Sequence, residues 1–102
     1  MIQMNGCLLG RADNMHRAWA YSVTGMLLRG ENSLRIYFHS PVKYIRERYA
    51  ECVTMGSEHC MDGFPQIRKA HCMFGWDWGP RLPDAGIWKN VFLQGVEKGR
   101  LE

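Results

Sequence analysis

The side chains best suited to chemistry lie in one short run, Phe-Gly-Trp-Asp-Trp-Gly-Pro, at residues 74–80. Within this run, Asp77 stands between Trp76 and Trp78. A sugar site needs such a combination, because the C–H faces of a sugar ring lie on aromatic rings while its hydroxyls donate to a carboxylate. The run therefore indicates one wall of a carbohydrate cavity. The same residues also fit a core tryptophan pair capped by an aspartate, since Trp is highly buried on average.

Four cysteines, Cys7, Cys52, Cys60 and Cys72, are the other reactive side chains. None belongs to a Cys-x-x-Cys pair, which argues against a structural zinc site. Cys52 and Cys60 could form a disulfide in an oxidising compartment, but the chain carries no mark of secretion, so free thiols are favoured. The first residues lack the basic start and apolar core of a signal peptide. We therefore predict no metal, no cofactor and a cytoplasmic location.

Length and composition restrict the class of protein. A chain of 102 residues is enough for one domain with a modest core, and 46% apolar with 23% charged residues is an ordinary globular composition. The net charge of +3 comes from Lys and Arg spread among acids, whereas a nucleic-acid partner favours a clustered basic face. The apolar runs are too short to span a membrane. We predict neither nucleic acid nor a membrane as a partner.

Short strands separated by turns are predicted to position these residues. Asn5-Gly6 between apolar runs is a strong hairpin signal, so residues 1–4 and 7–9 are predicted to pair. Residues 33–39 alternate between apolar and polar side chains, which predicts a strand with one face in the core.

One helix is predicted at residues 42–51, because Ser40 suits the N-cap and Pro41 suits the first helical position. Its narrow apolar stripe and many charges predict a surface helix. Residues 52–66 have no periodicity, and a loop of this length in a small domain is usually functional or mobile.

The Trp-Asp-Trp run is itself predicted to lie on a strand at residues 71–78. A last strand is predicted at residues 87–96, with Trp88 in the core. Several short strands, turn residues and one helix favour an antiparallel sandwich or jelly roll over a βαβ fold.

A family likeness rests on residues 68–80, Arg-Lys-Ala-His-Cys-Met-Phe-Gly-Trp-Asp-Trp-Gly-Pro, and on Gly-Ile-Trp-Lys at residues 86–89. Together they resemble the β-mannosidases of glycoside hydrolase family 2. Upstream turn-like motifs occur in the order that this family has them: Asn5-Gly6, Asp-Asn-Met at 13–15, Gly-Glu-Asn-Ser-Leu at 30–34 and Ser40-Pro41. The Trp-Asp-Trp-Gly-Pro core is specific, whereas the upstream turns are weak signals alone.

The resemblance implies a part of an enzyme. Members of the family have an N-terminal jelly-roll sugar-binding domain, immunoglobulin-like sandwiches and a (β/α)₈ barrel that carries two catalytic glutamates. This chain matches the later part of the first domain. Residues 1–95 are therefore expected to form an all-β, incomplete jelly-roll (galactose-binding-like) β-sandwich with one short surface helix and its first strands missing. Residues 96–102 are expected to start a linker to an absent domain, in a truncated reading frame.

The resemblance also implies hydrolysis of terminal non-reducing β-D-mannose residues by the parent enzyme. A retaining glycosidase uses two carboxylates about 5–5.5 Å apart. No such pair is evident, and Asp62, Asp84 and Glu97 are predicted to be solvated surface acids. We expect no catalytic residue in this chain and no activity from the chain alone.

Substrate binding is the role that the resemblance implies for Asp77, Trp76 and Trp78. Asp77 would accept hydrogen bonds from mannose hydroxyls, and the two indoles would shape the wall. The expected partners are a β-mannoside or manno-oligosaccharide and the remaining domains of the parent enzyme. Two alternatives remain open: a free-standing, non-catalytic carbohydrate-binding module, and a structural sandwich whose tryptophans are core.

Overall fold

The computed structural model describes residues 1–97 and residue 99, and it begins with a small antiparallel sheet. Its strands are β1 (Ile2–Met4), β2 (Cys7–Gly10) and β3 (Leu34–Ile36), in the order β2-β1-β3. The Asn5-Gly6 turn has positive φ at both residues, 49° and 83°, as a type I′ hairpin turn requires. The predicted hairpin and the predicted strand within residues 33–39 are confirmed.

Asn5 also fixes the long connection that returns the chain to β3. Its side-chain amide donates to the carbonyl of Met26 at 2.7 Å and to Oδ1 of Asn32 at 2.9 Å. Its Oδ1 accepts from the backbone N–H of Ser33 at 2.8 Å. The turn residue that forms the hairpin therefore also aligns the start of β3 beside β1.

The helix α1 (Pro41–Glu51) ends at the predicted residue and begins one residue before the predicted range of 42–51. The Ser40 hydroxyl accepts from the backbone N–H of Lys43 at 3.2 Å, which satisfies one of the first unpaired donors of the helix. In the last turn, Arg48 donates to the Glu51 carboxylate at 2.7 Å, and this hydrogen bond raises the pKa of Arg48. The inward face carries Ile45, which is buried.

Loss of this cap is expected to weaken the helix measurably. The substitution Ser40→Ala should lower the free energy of unfolding by about 1 kcal/mol, because a helix N–H loses its acceptor. Urea denaturation followed by circular dichroism at 222 nm measures the change. The matched variant Ser40→Asn retains a capping oxygen and should stay within about 0.5 kcal/mol of the parent. Equal losses in both variants would contradict the capping role.

Two predicted strands differ from the structure. Residues 71–78 begin with a 3₁₀ helix, His71–Phe74, and continue through the left-handed φ of 125° at Gly75, which a strand cannot accommodate. Residues 87–96 form no regular element. Their alternation suits a strand, but strands gain stability only by pairing with neighbours. Within the described residues the strands make one three-stranded sheet, and the two-sheet jelly roll stays a prediction.

Little of the apolar surface is buried. The buried apolar side chains are Met4, Ile45, Cys60 and Phe74, while Trp88, predicted to be core, is 60% exposed. The predicted core face of residues 33–39 is also open, with Leu34 and Phe38 exposed. The Cα radius of gyration is 17.6 Å, against about 13 Å for a compact domain of this length. Most of the predicted linker at residues 96–102 lies outside the described residues.

Candidate functional site

The support of the Trp-Asp-Trp run is Phe74, whose side chain is fully buried. The Phe74 carbonyl accepts a hydrogen bond from the backbone N–H of Met61 at 2.9 Å. Burial of a phenylalanine contributes about 1.5–3 kcal/mol relative to its exposure, and the hydrogen bond joins Met61 to the start of the run. Two segments that are separated in sequence thereby become neighbours.

Gly75 redirects the chain from this support to the surface. With φ at 125° it occupies a conformation that L side chains rarely adopt. A Cβ at this position would lie 2.5 Å from the carbonyl oxygen of His59, so no larger residue fits. The Gly75 carbonyl accepts from the buried Cys60 thiol at 2.9 Å. Glycine is thus required here by both backbone conformation and close approach.

Arg81 fastens the other end of the loop. Its guanidinium donates through Nε to the carbonyl of His59 at 3.2 Å and through Nη2 to the carbonyl of Glu58 at 3.3 Å. Between these attachments the Gly79 N–H donates to the Trp76 carbonyl at 3.2 Å and closes a turn. The loop is therefore held at both ends against the same short segment.

The three predicted site residues all lie at the surface of this loop. Trp76 is 54% exposed and Trp78 is 82% exposed, and their rings meet edge to face with centroids 5.7 Å apart. Oδ1 of Asp77 accepts from the backbone N–H of Trp78 at 3.0 Å. The tryptophans do not form a core pair, so the structural-sandwich alternative with core indoles is wrong on this point.

A small cavity of about 160 Å³ brings two of these residues together with two that sequence reasoning missed. Its lining consists of Ser57, His59, Trp76 and Asp77. Trp78 does not line it but packs against Trp76. Ser57 and His59 belong to the long irregular loop at residues 52–66. The length of that loop was the available sequence signal, and it did not indicate which side chains would meet Asp77.

The cavity suits hydroxyl-bearing ligands. Asp77 accepts, the Ser57 hydroxyl both donates and accepts, and either imidazole nitrogen of His59 does one or the other according to its tautomer. Nε2 of His59 lies 3.8 Å from Oε1 of Glu58. The Trp76 indole is 54% exposed, and an aromatic ring can make C–H contacts with a sugar. Asp77 is the carboxylate in this lining, so the cavity does not supply the two carboxylates of a glycosidase.

All four cysteines are free. No group of three or more His, Cys, Asp and Glu side chains within residues 1–97 is placed to hold a metal ion. The helix in the described part of the chain is too short and too polar to cross a membrane.

The family model described as "Glycosyl hydrolase 2 galactose-binding domain-like" matches residues 1–89. Among curated relatives, the beta-mannosidase of Capra hircus is 33% identical over 104 residues, covering 92% of this chain. The beta-mannosidase of Mus musculus is 32% identical and covers 99% of it. Beta-mannosidase B of Aspergillus oryzae is 35% identical and covers 91%.

These matches cover most of this chain but only a small part of each relative. The chain spans 12% of the length of the two mammalian relatives and 11% of the fungal one. No solved structure matches the chain.

Proposed function

Because the chain belongs to the glycosyl hydrolase 2 galactose-binding domain-like family, we propose that it is part of the N-terminal domain of a β-mannosidase and contributes one wall of the mannose site. The observation that carries the proposal is the surface cavity in which Asp77 and Trp76 meet. An aromatic face beside a carboxylate is the pairing that a sugar ring requires. The relatives named beta-mannosidase support mannose as the sugar.

Each side chain has a distinct role in this proposal. Asp77 accepts hydrogen bonds from two mannose hydroxyls, and Trp76 contacts the C–H face of the ring. His59 and Ser57 donate to the other oxygen atoms of the sugar. Trp78 holds the Trp76 indole edge to face and extends the aromatic wall. These roles orient the sugar, and orientation contributes to the rate by presenting the glycosidic bond in a reactive geometry.

The chemical step is assigned to residues outside this chain. The parent enzyme hydrolyses terminal non-reducing β-D-mannose residues with retention, through a nucleophile and an acid/base about 5–5.5 Å apart. The remaining domains of the parent are the macromolecular partners in this proposal. They cover exposed apolar side chains such as Trp88 and Phe92, and added strands extend the sheet to the jelly roll.

The chain alone is therefore expected to hydrolyse no aryl β-mannoside. Release of 4-nitrophenol from 4-nitrophenyl β-D-mannoside should match the buffer rate, because one carboxylate cannot act as both nucleophile and acid/base. Asp77→Ala is the control, and its trace should coincide with that of the parent chain. Turnover that co-elutes with the purified protein would contradict the assignment of the catalytic groups to other domains.

A free-standing carbohydrate-binding module is the second candidate. The observation that favours it is that the cavity is formed by this chain, with Ser57, His59, Trp76 and Asp77 as its lining. Isothermal titration with methyl β-D-mannoside separates the two candidates. Binding by the purified chain at sub-millimolar sugar favours the module, whereas tight binding only after the parent's remaining domains are added favours the enzyme wall.

A further inference from the structure

A cavity of about 310 Å³ has no role in the proposed function. Its lining consists of Tyr49, near the end of α1, and of residues 53–58 and 61–64 in the loop that follows the helix. Ligand cavities in proteins typically begin near 300 Å³, so this cavity has room for a small molecule or for one long side chain. Its lining shows which chemical class it suits.

Close packing at Gly63 brings the loop against the helix. With φ at 78°, Gly63 lies so near α1 that a Cβ there would overlap the carbonyl oxygen of Ile45 and lie 2.9 Å from Cβ of Tyr49. The two neighbours of Gly63 in sequence are Asp62 and Phe64. The contact therefore places a carboxylate and an aromatic ring in the same lining as the Tyr49 ring.

The Phe64 ring is held in place from two directions. Gly56 lies against it, since a Cβ at Gly56 would be 2.6 Å from Cε1 of Phe64. The His71 ring meets it edge to face, with the centroids 4.9 Å apart. An aromatic ring that is positioned before a ligand arrives can offer its negative face to a cation.

The charge in this lining is negative, although the whole chain has a net charge of +3. In the described part of the chain the lining contains the carboxylates of Glu58 and Asp62 and no Lys, Arg or His. The Glu58 carboxylate is 89% exposed and lies 3.8 Å from Nε2 of His59. Asp62 forms no ion pair with any residue in 1–97. Asp62 is therefore the carboxylate most available to a bound cation.

A buried hydroxyl adds an acceptor that lacks a partner. Oγ1 of Thr54 is buried and forms no hydrogen bond within the described residues. Burial of a hydroxyl without a hydrogen-bond partner is unfavourable, so a ligand that donates an N–H to this oxygen would remove an existing cost. A quaternary ammonium has no N–H, whereas a primary ammonium has three.

We propose that this cavity binds a primary ammonium group at the end of an alkyl stem. The ammonium donates to Asp62 and to Oγ1 of Thr54, and the rings of Tyr49 and Phe64 attract its charge. The alkyl stem lies against the apolar part of the lining, which includes Met61. Free alkylamines and the side chain of a lysine both have this chemistry. The proposal does not depend on the mannose site.

The test uses the full 102-residue chain and three probes, n-butylammonium, n-butanol and tetramethylammonium, followed by ¹H–¹⁵N NMR at constant ionic strength. Butylammonium should shift the amide signals of Thr54, Asp62 and Phe64. Butanol, which has the stem without the charge, should leave them unchanged. Tetramethylammonium should bind about tenfold more weakly, because it has the charge without an N–H donor.

Two nearly isosteric variants test the contacts. Asp62→Asn should raise the Kd for butylammonium about twofold to fivefold, as expected for one exposed ion pair. Thr54→Val should also raise this Kd without lowering the melting temperature of the free chain, because it removes a hydroxyl that has no partner there. Asp84→Asn makes the same change of charge at an exposed residue outside the cavity, and it should leave the Kd unchanged.

The outcomes either support the proposal or overturn it. Equal shifts with butylammonium and butanol would overturn it, because the cavity would then select only an apolar stem. Equal losses in Asp62→Asn and Asp84→Asn would also overturn it, because the attraction would then come from the overall charge. A lysine in an acetylated and amidated Gly-Lys-Gly peptide distinguishes the two sources. Tighter binding of the peptide than of butylammonium supports a lysine side chain, and equal or weaker binding supports a free alkylamine.

Discussion

Replacing Asp77 with alanine is expected to weaken binding of methyl β-D-mannoside by about tenfold to 150-fold. Hydrogen bonds to a charged group contribute about 1.5–3 kcal/mol, and every 1.4 kcal/mol is a factor of ten in affinity. Asp77 is the carboxylate in the lining of the small cavity, so no neighbouring acid in that lining replaces it. Isothermal titration of the chain, with the parent's remaining domains added, measures the change.

A structural effect of the same substitution must be separated from the loss of a sugar contact. Oδ1 of Asp77 also accepts from the Trp78 N–H, so alanine removes a contact that shapes the loop. Asp77→Asn keeps an oxygen for that N–H and removes the charge, and its affinity should fall between those of the parent and the alanine variant. Asp84→Ala removes an exposed carboxylate that does not line the cavity and should bind normally.

Equal affinity of Asp77→Ala and the parent for the sugar, with an unchanged loop, would contradict the mannose-wall role. Loop geometry is checked by the amide signals of Trp78 and Gly79, which report the two turn hydrogen bonds. Unchanged affinity would leave Asp77 as a turn residue only.

Features predicted correctly from the sequence depend on a few adjacent residues. The Asn5-Gly6 turn needs only two residues that accept positive φ, and Ser40-Pro41 starts a helix by chemistry within one turn. Asp77 and Trp76 were singled out by their own chemistry, without any assumption about the fold. Both line the small cavity, and their role as substrate-binding residues stays a prediction.

Features that the sequence analysis missed depend on distant contacts. Residues 71–78 were predicted to form a strand, but burial of Phe74 and the hydrogen bond between Cys60 and Gly75 stabilise a 3₁₀ helix at residues 71–74 instead. His59 is held at the site by the Arg81 guanidinium, which donates to its carbonyl across 22 residues of sequence. Such pairings leave no periodic pattern, so local sequence rules do not predict them.

Residues 87–96 also differ from the predicted strand because a strand depends on distant contacts. Val91, Phe92 and Leu93 are all exposed, although their composition suits a strand. Such residues form a strand only where an adjacent strand supplies hydrogen bonds and a facing apolar surface. Strands β1–β3 do not pair with residues 91–93. Composition therefore identifies this segment as a strand candidate, whereas pairing decides whether it becomes one.

The second large effect is expected at Phe74. Phe74→Ala should destabilise the chain by about 3–5 kcal/mol, because a fully buried aromatic ring is removed where Met61 and Cys60 are held to the loop. A chain with so few buried side chains cannot absorb such a loss, so the site loop should lose its fixed structure. Urea denaturation followed by tryptophan fluorescence reports the change directly, since Trp76 and Trp78 lie on this loop.

The exposed Phe92→Ala is the matched control, and it should change the free energy of unfolding by less than about 0.5 kcal/mol. Amide spectra of Phe74→Ala should lose the dispersed signals of Cys60 and Gly75. The signals of the β1–β2 hairpin should remain, because the hairpin forms no hydrogen bond with Phe74. Simultaneous loss of the hairpin signals would mean that the sheet and the site loop unfold as one unit. Retention of all signals would show that Arg81, rather than the buried ring, supports the cavity that contains Asp77. Sugar binding would then depend on the Arg81 guanidinium.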